Sequence, residues 1–446
     1  MTKDKNIQTR VDEDTYNHIS ERANELDKSI SEYLRNVITN VTDVQKEEGE
    51  SIRHQFLLDI AQIGGLRDSD IIHLLKNYWE QYRSNNQIQE IQKLLHDGHR
   101  DIYFIGQGSS LAAAKWTAAR FREKEMNATA YTPAQAPTKL IDSDDVVVCV
   151  SRSGKTETVQ RLCKETVATT VGLTSAGSEL YQSSDLSMDI PSISENLEYY
   201  SKQNFIIQII VLRELLTEGV SEFSKVRQRI RSVGSFVNEH VGEDNGRISL
   251  FEDSQFSRAA KKINQENDLG LDQIVTGEGR FGADVYEMVQ KTPELLYENS
   301  SYEDPGSIRD RLLNLLYTEQ AYLFGLVPRA DTTAYENFIY YLFQSGNSID
   351  GLLKFNSEPR QLRLICLTFN NKRKSFETNC IERSLYDESS IITLPYDEDD
   401  DFTNDLIIFA AIYLFTYAIL DRKWELYPKV RQAVIRRVFS SGESFS

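Results

Sequence analysis

The chain has 446 residues, 40% of them hydrophobic and 26% charged, with a formal net charge of −18. That length carries two or three domains with real cores, and the composition excludes a disordered chain. The acid excess speaks against broad electrostatic adhesion to nucleic acid or an anionic membrane, so any anion is to be held by a local site.

Residues 1–40 differ in kind from the rest. Ile7, Thr9 and Val11 alternate with Asn6, Gln8 and Arg10, as in a half-buried strand. Asp12 can cap a helix whose inner face carries Tyr16, Ile19 and Ala23, and Ser29 with Glu32 gives a capping box for a second helix. This strand-helix-helix order resembles the ribbon-helix-helix family of DNA-binding proteins. The resemblance implies a homodimer or higher homo-oligomer whose paired strands enter the major groove, with Asn6, Gln8 and Arg10 facing base edges. A dimerisation or docking module without DNA contact fits the same residues, because acids slightly outnumber bases there.

Residues 41–95 read as a polar linker followed by a helical lead-in, with Phe56, Ile60, Ile63, Leu74, Tyr78, Ile88 and Leu94 at helical spacing. A first α/β domain is expected over 96–240. The apolar run Ile102-Tyr103-Phe104-Ile105 leads into Gly106-Gln107-Gly108-Ser109-Ser110. Further on, Val146-Val147-Val148-Cys149-Val150 leads into Ser151-Arg152-Ser153-Gly154-Lys155-Thr156. A strand that ends in Ser-x-Ser-Gly-x-Thr and opens a helix lets main-chain N–H groups, hydroxyls and the positive helix end meet one anion. Arg152 and Lys155 can add cationic contacts. Two neighbouring strand ends then converge on one crevice, the expected ligand position in an open parallel sheet.

The region from His96 to Leu216 resembles a SIS (sugar isomerase) domain, whose loop has this Ser-x-Ser-Gly-x-Thr pattern. The stretch Glu198-Tyr199-Tyr200-Ser201-Lys202, followed by Phe205 and Gln208, matches the family's next motif. The resemblance implies phosphate contacts from Ser109, Ser110, Ser151, Arg152, Ser153, Gly154 and Thr156, and a substrate contact from Ser201. The family commonly has Gln where Arg152 stands.

The pattern recurs over 241–446. Gln273-Ile274-Val275 leads into Gly277-Glu278-Gly279, Phe338 to Phe343 lead into Gln344-Ser345-Gly346-Asn347-Ser348, and Leu364 to Thr368 form a further strand before an apolar helix at Leu406 to Leu420. The expected fold is therefore α/β: two SIS-type doubly wound parallel-sheet domains in tandem, behind a small strand-helix-helix module and a helical linker. The segment 241–269, with Gly and Asn at its ends, reads as the inter-domain connection. Such a pair is similar to the isomerase half of glutamine:fructose-6-phosphate amidotransferase.

Glu287, Lys291 and Glu294 fall on one face if their helix continues. The resemblance implies that Glu294 is the base moving a proton between adjacent carbons and that Lys291 stabilises the enediolate. An exposed ion pair of Glu287 with Lys291 accounts for two of these residues equally, and Pro293 would kink the helix just before Glu294. The family's ring-opening histidine has no counterpart, since no histidine follows His240 and the corresponding segment reads Gly306-Ser307-Ile308-Arg309-Asp310-Arg311. Asp310 takes over that step, another histidine reaches the site, or the full reaction is not performed. Thr2 stands where the amidotransferases carry their cysteine, and no glutaminase-sized segment precedes the pair, so glutamine-derived ammonia is not expected.

Cys149, Cys163, Cys366 and Cys380 form no Cys-x-x-Cys pair, which suits a reducing cytoplasm and gives no zinc signature. The run Asp397-Glu398-Asp399-Asp400-Asp401 reads as a solvated loop, and no metal or organic cofactor is expected. The start of the chain has no apolar signal region, and no uninterrupted apolar stretch approaches the roughly 20 residues of a membrane span. The sequence therefore supports a cytoplasmic phosphosugar isomerase. The alternative is a sugar-phosphate-sensing, DNA-binding transcription regulator with non-catalytic SIS domains. An enzyme assembled through its amino-terminal module satisfies both sets of features.

Overall fold

The computed structural model describes residues 57, 60, 61, 70–193, 202–216, 220–244, 247–263, 272–277, 300–302, 321–326, 363–369 and 391–426. All of them belong to the compact unit His54–Val430, whereas the unit formed by Met1–Arg53 and Arg431–Ser446 lies outside the described residues. The strand-helix-helix expectation, with Asn6, Gln8 and Arg10, falls in that second unit.

The lead-in forms helices α1 (Asp70–Ser84) and α2 (Asn86–Leu95). Asn85 caps α2, its Oδ1 accepting from the Gln87 N–H at 2.9 Å. The buried stripe is Ile71, Leu75, Trp79 and Tyr82, then Ile88, Ile91 and Leu95. Leu74, Tyr78 and Leu94, expected at the core, are half-buried. Trp79 sets this rotation: its indole fills the interior and its Nε1–H donates to the Ser221 carbonyl at 2.7 Å, which a ring on the neighbouring face could not do.

Strands β1 (Ile102–Ile105), β2 (Ala128–Tyr131), β3 (Val146–Ser151), β4 (Thr169–Thr174) and β5 (Leu186–Asp189) form a parallel sheet in the order β2-β1-β3-β4-β5. All of β3 is buried, as expected of a central parallel strand covered on both faces. On one face Ile105, Val147 and Cys149 pack with Val159, Leu162 and Cys163 of α4 (Glu157–Glu165) and Leu180 of α5 (Glu179–Ser183). On the other, Phe104 meets Phe121 of α3 (Ser109–Arg122), with ring centres 5.5 Å apart. Helix α6 (Lys202–Glu214) is buried along nearly its whole described length, and α7 (Phe223–Asn238) completes the region.

The expected inter-domain connection is not plain linker. It holds an antiparallel hairpin, β6 (Val241–Asp244) with β7 (Arg247–Leu250), and helix α8 (Gln255–Ile263). The Asn245-Gly246 pair between the strands is a favoured two-residue hairpin sequence.

A second parallel sheet contains β8 (Asp272–Gly277), β9 (Ser300–Tyr302), β10 (Ala321–Leu326), β11 (Arg363–Phe369) and β12 (Ile391–Leu394), in the order β9-β8-β10-β11-β12. The permutation is that of the first sheet. The third position, however, is taken by Ala321–Leu326 and not by the expected strand Phe338 to Phe343, which lies outside the described residues together with Gln344 to Ser348. Periodicity cannot rank two short apolar runs; β10 is selected by pairing with β8 on one side and β11 on the other.

Helix α9 (Asp401–Leu426) carries the long apolar run, and its membrane-length apolar window is wholly buried in the protein. Phe205 of α6 meets Phe409 and Tyr413, with ring centres 5.0 and 6.1 Å away. Buried Asp405 accepts from the Trp116 Nε1–H at 3.2 Å and pairs with Arg120. The acidic run at 397–401 is more than a solvated loop: Asp400 pairs with Arg229 at 2.6 Å and accepts from the Phe402 N–H at 3.2 Å, closing the start of the helix.

Candidate functional site

Residues 151–156 form a tight turn at the carboxyl end of β3. Ser151 is buried and its Oγ lies 3.2 Å from Thr156 Oγ1, so the two hydroxyls close the base of the turn. Thr156 is the extended N-cap residue of α4, yet its side chain makes no capping bond to that helix. The first N–H groups of a helix have no intrahelical acceptor, and here they open beside those hydroxyls. Ser153 Oγ accepts from the Lys155 N–H at 3.3 Å, and the Gly154 carbonyl accepts from Gln160 Nε2 at 2.5 Å. Ser153 and Lys155 are exposed, whereas Arg152 and Thr156 are half-buried.

Gly154 is required twice over. Its φ is +63°, the left-handed region, and an added Cβ would overlap Ser178 Oγ and lie 2.6 Å from Thr174 Oγ1. The turn rests directly on the end of β4.

The neighbouring turn, 106–110, follows β1 and opens α3. Gly108 has φ +59°, and a Cβ on Gly106 would lie 2.7 Å from the Ser110 carbonyl oxygen. Ser109 and Ser110 are half-buried. Gln208 of α6, buried, donates from Nε2 to Ser110 Oγ at 3.4 Å. Thr158 Oγ1 donates to Gln107 Oε1 at 3.2 Å, joining the two turns across the mouth. Because β1 and β3 are neighbours while their connections leave in opposite directions, the crevice between these turns is the sheet's topological switch point.

The structure thus brings together Ser109, Ser110, Ser151, Arg152, Ser153, Gly154 and Thr156. Ser201, Lys291 and Glu294 lie outside the described residues, the last two between β8 and β9. Sequence reasoning missed Thr174, Ser175 and Ser178, which support the turn from β4. Their signal was present in the Thr-Ser ending of Val171-Gly172-Leu173-Thr174-Ser175, but only the order β1-β3-β4 makes it meaningful. Among the described residues, no group of three or more His, Cys, Asp or Glu is placed to hold a metal ion. Cys149 and Cys163 are unoxidised and buried beneath the site. The hydrogen bond from the Cys149 thiol, partly opposed by burial, brings the Cys163 thiol down to about 7.

Comparison with protein families decides what this crevice is: the family model for the SIS domain matches residues 94–217. This stretch is a SIS domain. A second model, that of the mobilization protein NikA, matches residues 1–68. The HTH-type transcriptional regulator HexR of Pseudomonas aeruginosa is 30% identical over 128 residues, which are 27% of this chain and 45% of the regulator. The chain thus spans under half the length of that curated relative. Among solved structures, the C-terminal domain of glucosamine-fructose-6-phosphate aminotransferase from Francisella tularensis is similar with a TM-score of 0.56 and 13% identity, covering 83% of this chain and 96% of that one. Tagatose-6-phosphate ketose/aldose isomerase from Escherichia coli gives a TM-score of 0.54 at 13% identity, covering 80% and 92%. At such identities the likeness concerns the fold alone.

Proposed function

We propose that this chain binds a phosphorylated hexose or amino sugar, with the phosphate in the SIS-domain crevice. The observation that carries the reading is the paired hydroxyls of Ser151 and Thr156, 3.2 Å apart at the start of α4, beside a glycine held at φ +63°. Ser109, Ser110, Arg152 and Ser153 would complete the phosphate shell, and Ser201 would contact the sugar. The second parallel sheet, of the same strand order, is taken as a second SIS domain carrying the chemistry. There Glu294 would act as the base of an aldose/ketose isomerisation and Lys291 would stabilise the enediolate. We place the protein in the cytoplasm as a homo-oligomer that needs no cofactor.

Calorimetry with fructose 6-phosphate and glucosamine 6-phosphate tests the binding. Heat is expected for the wild type, with a loss of at least about tenfold in affinity in a Ser153→Ala, Thr156→Ala double variant, which deletes two hydrogen bonds to an ionised group. Undiminished binding by that variant would overturn the assignment. The catalytic half is read separately, as uptake of solvent deuterium at the carbon next to the carbonyl. It is expected in the wild type and absent in Glu294→Gln.

A second reading is favoured by three observations: the 30% identity with a transcription regulator over 128 residues, the NikA match over 1–68, and the lack of any histidine after His240. In it the SIS domain senses the sugar phosphate without converting it, and Asn6, Gln8 and Arg10 contact DNA. Tight binding without deuterium uptake selects this reading.

A further inference from the structure

The carbonyl of Arg152 accepts two hydrogen bonds from one residue, the Ser175 N–H at 3.0 Å and the Ser175 Oγ–H at 2.7 Å. A peptide unit is planar and trans, so its C=O and the following N–H point in opposite directions. With the Arg152 oxygen fastened to the turn after β4, the Ser153 N–H is directed away from β4. In the strand order β1-β3-β4 that direction leads to the β1 side, which is the crevice. Ser151 and Thr174 are register partners at the ends of β3 and β4, so Ser175 stands beside Arg152.

The Ser175 turn is itself held. The Ala176 N–H donates to Asp189 Oδ1 at 2.6 Å, at the end of β5. The Ile190 N–H donates to the Thr174 carbonyl at 2.9 Å, and the Ser178 N–H donates to the Ser175 carbonyl at 3.2 Å. Tyr78 of α1 hydrogen-bonds the Asp189 carboxyl, and the Tyr82 hydroxyl donates to the Asp189 carbonyl. None of these groups lies in the two turns that line the crevice.

From this geometry we infer that Ser175 is a positioning residue for the phosphate site: its hydroxyl fixes the 152–153 peptide so that the Ser153 N–H meets the anion, with Asp189 anchoring the turn from behind. The inference rests on the phosphate-binding reading above and adds a residue to it. Removing the hydroxyl leaves the weaker of the two restraints on the Arg152 carbonyl, and the peptide then samples orientations that withdraw one donor from the phosphate.

Calorimetry with fructose 6-phosphate and with inorganic phosphate, on the full chain, tests this in wild type, Ser175→Ala and Ser175→Thr. Ser175→Ala is expected to bind both ligands about three- to tenfold more weakly, the range for one neutral hydrogen bond. Ser175→Thr, which retains the hydroxyl, is expected to stay within about twofold of wild type. The two variants are compared at matched thermal midpoints of the ligand-free protein, so that loss of fold does not pass for loss of positioning. Wild-type affinity in Ser175→Ala, or equal losses in both variants, would overturn the role of Ser175 while leaving the phosphate reading intact. No heat from the wild type with either ligand would instead remove the phosphate reading itself.

Discussion

Gly154 shows how much of the site depends on a single backbone angle. Its φ of +63° and its contact with Ser178 and Thr174 leave no room for a side chain. Gly154→Ala is therefore expected to lower stability by about 1–3 kcal/mol, the cost of holding a non-glycine residue in a sparsely populated conformation. The same change should abolish phosphate binding, because the turn must open to accept a methyl group. Denaturant unfolding monitored by circular dichroism, together with calorimetry, checks both effects. A variant as stable as wild type would mean that the turn relaxes freely. The hydroxyls and glycines of this turn were legible in the sequence because a strand-to-helix turn is a local pattern. Gln208 stood out only through the motif after Ser201, and Ser175 and Asp189 were not recognised as supports, since they reach the turn from the ends of β4 and β5 and no spacing along the chain connects them.

At the level of elements, the corner between α7 and the β6–β7 hairpin provides a pH test. His240 lies half-buried between Phe236 and Phe256, with ring centres 5.2 and 4.8 Å away. Burial, aided by the Arg258 charge, lowers its pKa from 6.5 to about 4. In the unfolded chain the ring takes up a proton near 6.5, whereas in the fold it does so only near 4. The unfolded state thus binds more protons in between, and the contribution of His240, fully present above the higher value, is lost as pH falls through this window. Urea unfolding at pH 7 and pH 5 should show a larger loss of stability for the wild type than for His240→Gln. Equal losses would show that the imidazole is not held neutral by the fold. Element identity was also only partly legible. Strands β1, β3, β4, β8 and β11 were evident as apolar runs, but β10 was not, because the competing run at Phe338 to Phe343 is equally apolar and the choice belongs to strand pairing.

At the level of the molecule, the long apolar helix α9 is tied to the first α/β region. Its residues meet Phe205 and Trp116, and Asp400 and Asp405 pair with Arg229 and Arg120. A chain of net charge −18 has no general attraction for DNA, so any DNA contact through residues 1–68 has to be local and salt-sensitive. Under the regulator reading, the wild type should retard its own promoter fragment in an electrophoretic shift at low salt. Arg10→Ala should weaken that shift at least about tenfold if Arg10 reads a base edge. No shift by the wild type at any salt concentration would exclude that reading and leave the isomerase.

The sequence by itself determined what local chemistry encodes: a hydroxyl- and glycine-rich turn between a strand and a helix, apolar strand runs at repeating intervals, and a helix too apolar to lie on a surface. Only the tertiary structure decided which run occupies the third position of the second sheet, which face of α1 turns inward, and which residues hold the 151–156 turn from behind. The physical reason is that hydrogen bonding and capping act over a few residues and leave their mark in spacing. Strand pairing, aromatic packing and buried ion pairs instead join residues a hundred or more positions apart, and they are settled by which partners remain when the chain closes on itself.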